Sequence, residues 1–289
     1  MYLKIGNVQL GGPTGSLIIE NFQFGSTELR TKYVDRPNGS GQLVGKDWLG
    51  SSTISIDIAT NKSNLTEAIA EANNLEREWK KASTRLTSNV PVALSYSMDG
   101  QKWFKVYGRP GAFTGITPDV LARLGVARIT ADFVVTDPNH YSGSEHANTL
   151  TYVPEKRGGL VAPLISPLTS SGSSGESARF VDNEGDLPSP IVARFYGPIS
   201  QPRLRNSKNQ EFGLRTSIAA GDWVEIDSRL GTVKKKNGSS VAGLLTTRTR
   251  LSTLTLPAGQ SEWFFSGSDS TATSKVEIRW SDAYTGLQA

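Results

Sequence analysis

The sequence predicts a mainly β protein with one main helix, divided between an N-terminal α+β domain and a C-terminal β-sandwich. Apolar and polar residues alternate in several short runs, and 29 glycines and 14 prolines punctuate them. Only one long stretch, 64–82, repeats its apolar residues at helical spacing. The 289 residues suffice for two domains, although one large β domain would also fit that length. Composition changes after Asp137-Pro138-Asn139-His140-Tyr141, placing the boundary near residue 150 and the two domains at 1–150 and 151–289.

In the first domain, Ile54, Ile56 and Ile58 alternate with Ser55 and Asp57, the pattern of a half-buried strand. Residues 90–96, 102–107 and 126–135 read similarly. In the last run Ala127, Ile129, Ala131, Phe133 and Val135 share one face. Asp99-Gly100 is a hairpin signal because it tolerates positive φ. Over 64–82, Leu65, Ile69, Ala72, Leu75 and Trp79 form an amphipathic stripe, with Ser63 as the expected N-cap and Trp79 in the core. A shorter helical turn is predicted at Pro118–Leu124, capped by Thr117 and ended by Gly125.

Residues 25–52 are polar and glycine-rich and read as either disorder or a contact arm. An arm packing on a neighbouring subunit is expected, with Arg30, Arg36, Lys46 and Trp48 as its contact residues. The Ser/Gly-rich run Ser170–Ser177 cannot form a regular core strand. Leu160, Val161, Leu164 and Ile165 mark that stretch as an irregular edge of the second domain. From Pro190 strands recur at the intervals of a sandwich. Ile191, Ala193 and Phe195 alternate, Val224 and Ile226 oppose Trp223, Glu225 and Asp227, and Val276, Ile278 and Trp280 point inward. Asn237-Gly238 is a strong hairpin signal. A jelly-roll or galectin-like sandwich follows.

Several chemistries are excluded by composition. The chain has no cysteine and two histidines, so disulfides and zinc–thiolate sites are ruled out and imidazole-rich metal sites are not expected. A net charge of +4 is spread evenly, unlike the clustered cations of a nucleic-acid binder. No apolar run approaches the roughly 20 residues of a membrane helix, and Met1–Val8 does not read as a signal peptide.

The polar clusters have structural accounts. His140 and Glu145-His146 are expected as solvated loop residues. Glu225 and Asp227 share a strand face as a glycosidase pair might, but are expected as an acidic edge near Arg229. Lys234-Lys235-Lys236 reads as a solvated hairpin whose lysines discourage edge pairing. No nucleophile elbow, P-loop or G-x-G-x-x-G is present.

The order of motifs resembles the distal tail protein family of long-tailed bacteriophages, particularly those of Gram-positive hosts. In the first half the resemblance rests on W-L-G-S-S-T-I-S-I-D-I (Trp48–Ile58), the helix after it and T-D-P-N-H-Y (Thr136–Tyr141). In the second it rests on G-G-L-V-A-P (Gly158–Pro163), V-D-N-E-G-D-L-P-S-P ending at Pro190, G-D-W-V-E-I-D-S-R-L-G-T-V and the L-P-A-G turn before S-E-W-F-F. One departure is the run P-L-I-S-P-L from Pro163, where related proteins often carry an aromatic. The resemblance implies a non-enzymatic virion protein without cofactor, made in the host cytoplasm and placed at the distal end of the tail. Its belt domain would close a hexameric ring, and its galectin-like domain would sit on the ring's outside. Implied partners are the tail tube protein, the tape measure protein and the tail tip or baseplate hub. DNA would pass the lumen without specific binding, and no membrane insertion is implied. The alternative is a carbohydrate-binding sandwich contacting the host surface, for which Trp223, facing away from Val224 and Ile226, is the candidate aromatic.

Overall fold

The computed structural model describes residues 1–88, 90–116, 119–153, 177–269 and 271–288. It divides into two compact units, Met1–Ser144 with the C-terminal segment from Tyr284, and Glu145–Ala283. The fold is mainly β with one main helix.

The first unit contains β1 (Tyr2–Ile5), β2 (Val8–Gly11), β3 (Leu17–Phe24), β4 (Leu29–Arg30), β5 (Tyr33–Asp35), β6 (Gln42–Val44), β7 (Trp48–Leu49), β8 (Ser52–Thr60), β9 (Val92–Ser97), β10 (Phe104–Thr114) and β11 (Arg128–Ser142). Its antiparallel sheet runs β2-β1-β9-β10-β11-β8-β3. The two alternating runs seen in sequence pair directly: Ile58 faces Ile129, Ile56 faces Ala131 and Ile54 faces Phe133, and all six side chains are buried. Their apolar faces coincide because antiparallel partners point to the same side of the sheet. The opposite face is polar. There Ser55 donates to Asp132 at 2.9 Å and Thr130 donates to Asp57 at 2.9 Å.

Helix α1 (Leu65–Trp79) covers the core with Ala68, Ala72, Leu75 and Trp79. Asn64 rather than the expected Ser63 caps it, because the extended Asn64 backbone lets Oδ1 accept the Glu67 N–H at 3.0 Å. The Asn64 amide returns a bond to the Glu67 carboxylate. Ile69 departs from the expected stripe and stays 38% exposed. A separate short helix, α2 (Ala82–Leu86), follows. In α3 (Val120–Arg123) the cap is Asp119, whose side chain accepts the Ala122 N–H. The predicted cap Thr117 lies outside the described residues. Gly125 ends the turn at φ +89° as expected, and a Cβ there would meet the Lys62 carbonyl at 2.0 Å.

The second unit begins with β12 (His146–Thr151), so the boundary expected near 150 falls inside a strand of this unit. The strands after it are β13 (Ser177–Asn183), β14 (Ser189–Tyr196), β15 (Ile199–Asn206), β16 (Glu211–Gly213), β17 (Ser217–Ile218), β18 (Trp223–Asp227), β19 (Thr232–Lys235), β20 (Thr255–Leu256), β21 (Gly259–Ser268) and β22 (Lys275–Trp280). They form two sheets, β12-β22-β14-β18-β19 and β13-β21-β15-β16. Phe195, Ile226 and Ile278 from the first share a buried core with Leu204, Trp263 and Phe265 from the second. The run Ser170–Ser177 falls almost wholly outside the described residues, as do Gly158–Pro163, Leu164 and Ile165.

Candidate assembly surface

Between β3 and β8 the chain leaves the sheet as one long β-hairpin. Phe24 pairs with Ile54 at its root. The ladder continues through Gly25 on Thr53, Glu28 on Ser51, Leu29 with Leu49 and Arg30 with Trp48. Beyond Lys32 and Gly45 it resumes with Tyr33–Val44, Val34–Leu43 and Asp35–Gln42, and Arg36 closes the tip on Gly41. Two residues lie between Gly45 and Trp48 where one lies between Arg30 and Lys32, so Lys46 and Asp47 form a bulge. At about 3.3 Å per residue, the eleven steps from Gly25 to Arg36 span at most about 36 Å.

Every residue from 26 to 49 is exposed. Among them are Leu29, Tyr33, Val34, Leu43, Val44, Trp48 and Leu49, with Val44 73% and Trp48 63% exposed. An isolated two-stranded ribbon is marginally stable in water, and an apolar surface of this extent marks an interaction site. Strand alternation sorts the side chains. Arg30, Lys32, Val34 and Arg36 share one face with Leu43 and Trp48; Leu29, Tyr33, Val44 and Leu49 share the other. The structure therefore brings the sequence-nominated Arg30 and Trp48 side by side, puts Arg36 at the tip and Lys46 in the bulge. The missed residues Tyr33, Val34, Leu43 and Val44 form two apolar pairs within the 25–52 stretch read as polar and glycine-rich. That symmetry about Pro37–Gly41 was the available signal.

Trp223, the other nominated residue, lies on the outward face of β18. The Arg194 guanidinium sits 4.4 Å from its ring centre. Arg194 is held there by Glu225 Oε2, which accepts from Nε at 3.0 Å and Nη2 at 2.6 Å and also from Arg279 Nη2 at 2.8 Å. Burial alone would lower the Arg194 pKa, but its bonds to Glu225 and Tyr196 and their attraction give a net upward shift. Glu225 is thus the centre of a charge cluster, not part of the solvated acidic edge near Arg229 that was expected. Asp227 instead caps the turn that follows it by accepting the Leu230 N–H.

The histidines also differ from their expected solvated state. His140 is buried against Phe24 and Tyr96, with its Nδ1 2.7 Å from the Tyr96 hydroxyl. Burial holds its pKa below the ordinary value despite Asp137, and pushes Tyr96 up to about 12. His146 is half-exposed, stacks on Trp280 and places Nε2 2.9 Å from Asp282. Among the described residues no cluster of three or more metal-ligating side chains occurs.

No family model matches the chain and no curated protein is similar to it in sequence. Solved structures do share its fold. The chain is similar to one in the phage P2 baseplate in its activated conformation with Ca (TM-score 0.59, 13% identity, 99% of each chain covered). It is also similar to the Dit protein of phage SPP1, described as a paradigm of the hub adsorption apparatus in phages infecting Gram-positive bacteria (TM-score 0.57, 12% identity, 98% of each chain). A second phage p2 baseplate structure, with Sr, matches at a TM-score of 0.55 and 13% identity over 96% of this chain. The likeness spans both units and is one of fold.

Proposed function

We propose that this chain is a structural distal tail protein of a long-tailed phage, forming a ring that joins the tail tube to the tip or baseplate. The single observation carrying this reading is a fold shared end to end with phage hub and baseplate chains. The fully exposed apolar arm supports it, because a ring subunit must present a surface that only assembly buries. A hexamer is the closed form we assign, with the tail tube, tape measure and hub proteins as neighbours. The polar sheet face carries Asp57 and Asp132 beside Arg128, which pairs with Glu20, a mixed-charge wall that suits a channel letting DNA pass without specific binding.

Light scattering of the purified full chain tests the ring. Six copies of 31.2 kDa give about 187 kDa. A protein that stays monomeric both alone and with its tail-tube partner overturns the reading. The glycan-binding alternative requires a sugar to displace Arg194 from the Trp223 ring. Glycan-array signal that disappears in Trp223→Ala would support it, and an array without signal would retire it.

A further inference from the structure

The first unit carries a second apolar feature besides the arm. A groove of about 210 Å³ runs between α1 and the end of β10, lined by Ile69, Ala72, Asn73, Glu76, Phe113 and Ile116. Ile69 on its wall is the α1 residue that left the buried stripe. Beside it α3 packs on α1 through Ala68 and Ala122, while Leu121 and Leu124 remain exposed.

The geometry points to this groove as the socket for the arm of a second copy of this chain. The inference rests on the ring reading and adds to it the two surfaces that meet. Topology keeps the arm from its own groove: it leaves the Ser52 end of β8, whereas α1 follows the Thr60 end, and strand pairing carries the tip away. The occupant must therefore come from another molecule. Shape and size agree, since the groove can take one large side chain and Trp48 is the largest the arm presents. Three of the arm's seven large apolar side chains, Val34, Leu43 and Trp48, share the Trp48 face. At on the order of 100 Å² each, that face brings about 300 Å² of the roughly 800 Å² per partner that a stable interface needs, and the opposite face must bury the rest elsewhere on the neighbouring copy.

The arm and the socket also differ in charge. Arg30, Lys32 and Arg36 flank Trp48, Val34 and Leu43 on one arm face, and none forms an ion pair among the described residues. On the socket side Glu76 on the groove is ion-paired with Lys80, Glu71 pairs with Lys62 at 3.5 Å and accepts from Ser16, and Glu67 closes the cap with Asn64. The arm's cations would meet these carboxylates only in competition with those partners. Because arm and socket are different surfaces, the contact is head-to-tail, the type that closes a ring when its rotation divides a full turn.

The cysteine-free chain makes cross-linking a clean test. Lys46→Cys retains Trp48 beside it, and Asn73→Cys stands exposed on the socket. The full-length double variant, treated with a short bismaleimide, should give a ladder of covalent multimers in which more than half the chain is cross-linked, while either single variant gives almost none. Light scattering of the same samples separates the outcomes. A ring that forms without the 46–73 ladder overturns the socket and leaves the ring reading standing. Dimers from Lys46→Cys alone show arm-to-arm pairing and overturn the socket too. Monomers throughout, both alone and with the tail-tube partner added, overturn both. Val34→Cys with Asn73→Cys repeats the experiment from the other arm strand and must give the same ladder.

Discussion

Glu225→Gln is the substitution that most directly tests the charge cluster around Trp223. One carboxylate oxygen accepts three N–H donors from two arginines, and all three side chains are about a quarter exposed. Bonds to a charged partner contribute about 1.5–3 kcal/mol and neutral ones about 0.5–1.5. The amide keeps the shape and some acceptor capacity but loses about 1 kcal/mol per contact. Halving that sum for solvent screening leaves a cost of about 1.5 kcal/mol. Urea unfolding followed by the second unit's tryptophans should show a lower midpoint at unchanged slope. A double-mutant cycle with Arg194→Met should return at least about 1 kcal/mol of coupling, reduced but not abolished in 1 M salt. A solvated acidic edge would lose nothing. A cost and coupling both below about 0.5 kcal/mol would refute the reasoning.

The arm predicts a separation of stability from assembly. Trp48→Glu should leave the urea midpoint of the subunit within about 0.5 kcal/mol, because no side chain from 26 to 49 is buried, yet it should lower the assembled mass seen by light scattering. Asn64→Ala should cost about 1 kcal/mol through loss of the α1 cap, whereas Ser63→Ala should change little; equal effects would argue for the cap expected from sequence. His140 gives a pH dependence. Its folded pKa is depressed, so below about pH 6.5 the unfolded chain binds the proton more readily. Stability should be flat above about pH 7 and fall as pH drops from there towards the folded pKa, and His140→Gln should flatten that slope. The charged group facing His140 is Asp137, which opposes the shift, and the Tyr96 hydroxyl holds the ring in place.

Local chemistry made much of the fold legible. The alternation of Ile54, Ile56 and Ile58 and that of Ile129, Ala131 and Phe133 each needs only a strand and one buried face, and the two strands proved to be neighbours. Trp79 followed from helical spacing and the Asp99-Gly100 turn from its tolerance of positive φ. The cap of α1 was displaced by one residue because Ser63 and Asn64 are both competent, and backbone geometry decides between them. The proposed assembly surface was half legible. Arg30, Arg36, Lys46 and Trp48 stood out by type, but polar composition hid Tyr33, Val34, Leu43 and Val44, which matter only once the hairpin register is known.

Composition and periodicity alone determined that this is a mainly β chain with one main helix, without cysteine chemistry. They also set the polar, glycine-rich stretch 25–52 apart from the sheet strands around it. Only the tertiary structure decided that the arm is a paired ribbon with no buried residue, that Glu225 bridges two arginines 31 and 54 residues away, and that His140 is buried. The physical reason is that periodicity reports which way a side chain faces within its own strand or helix. Which distant group meets it there depends on register and strand order, and those are settled when the sheets assemble.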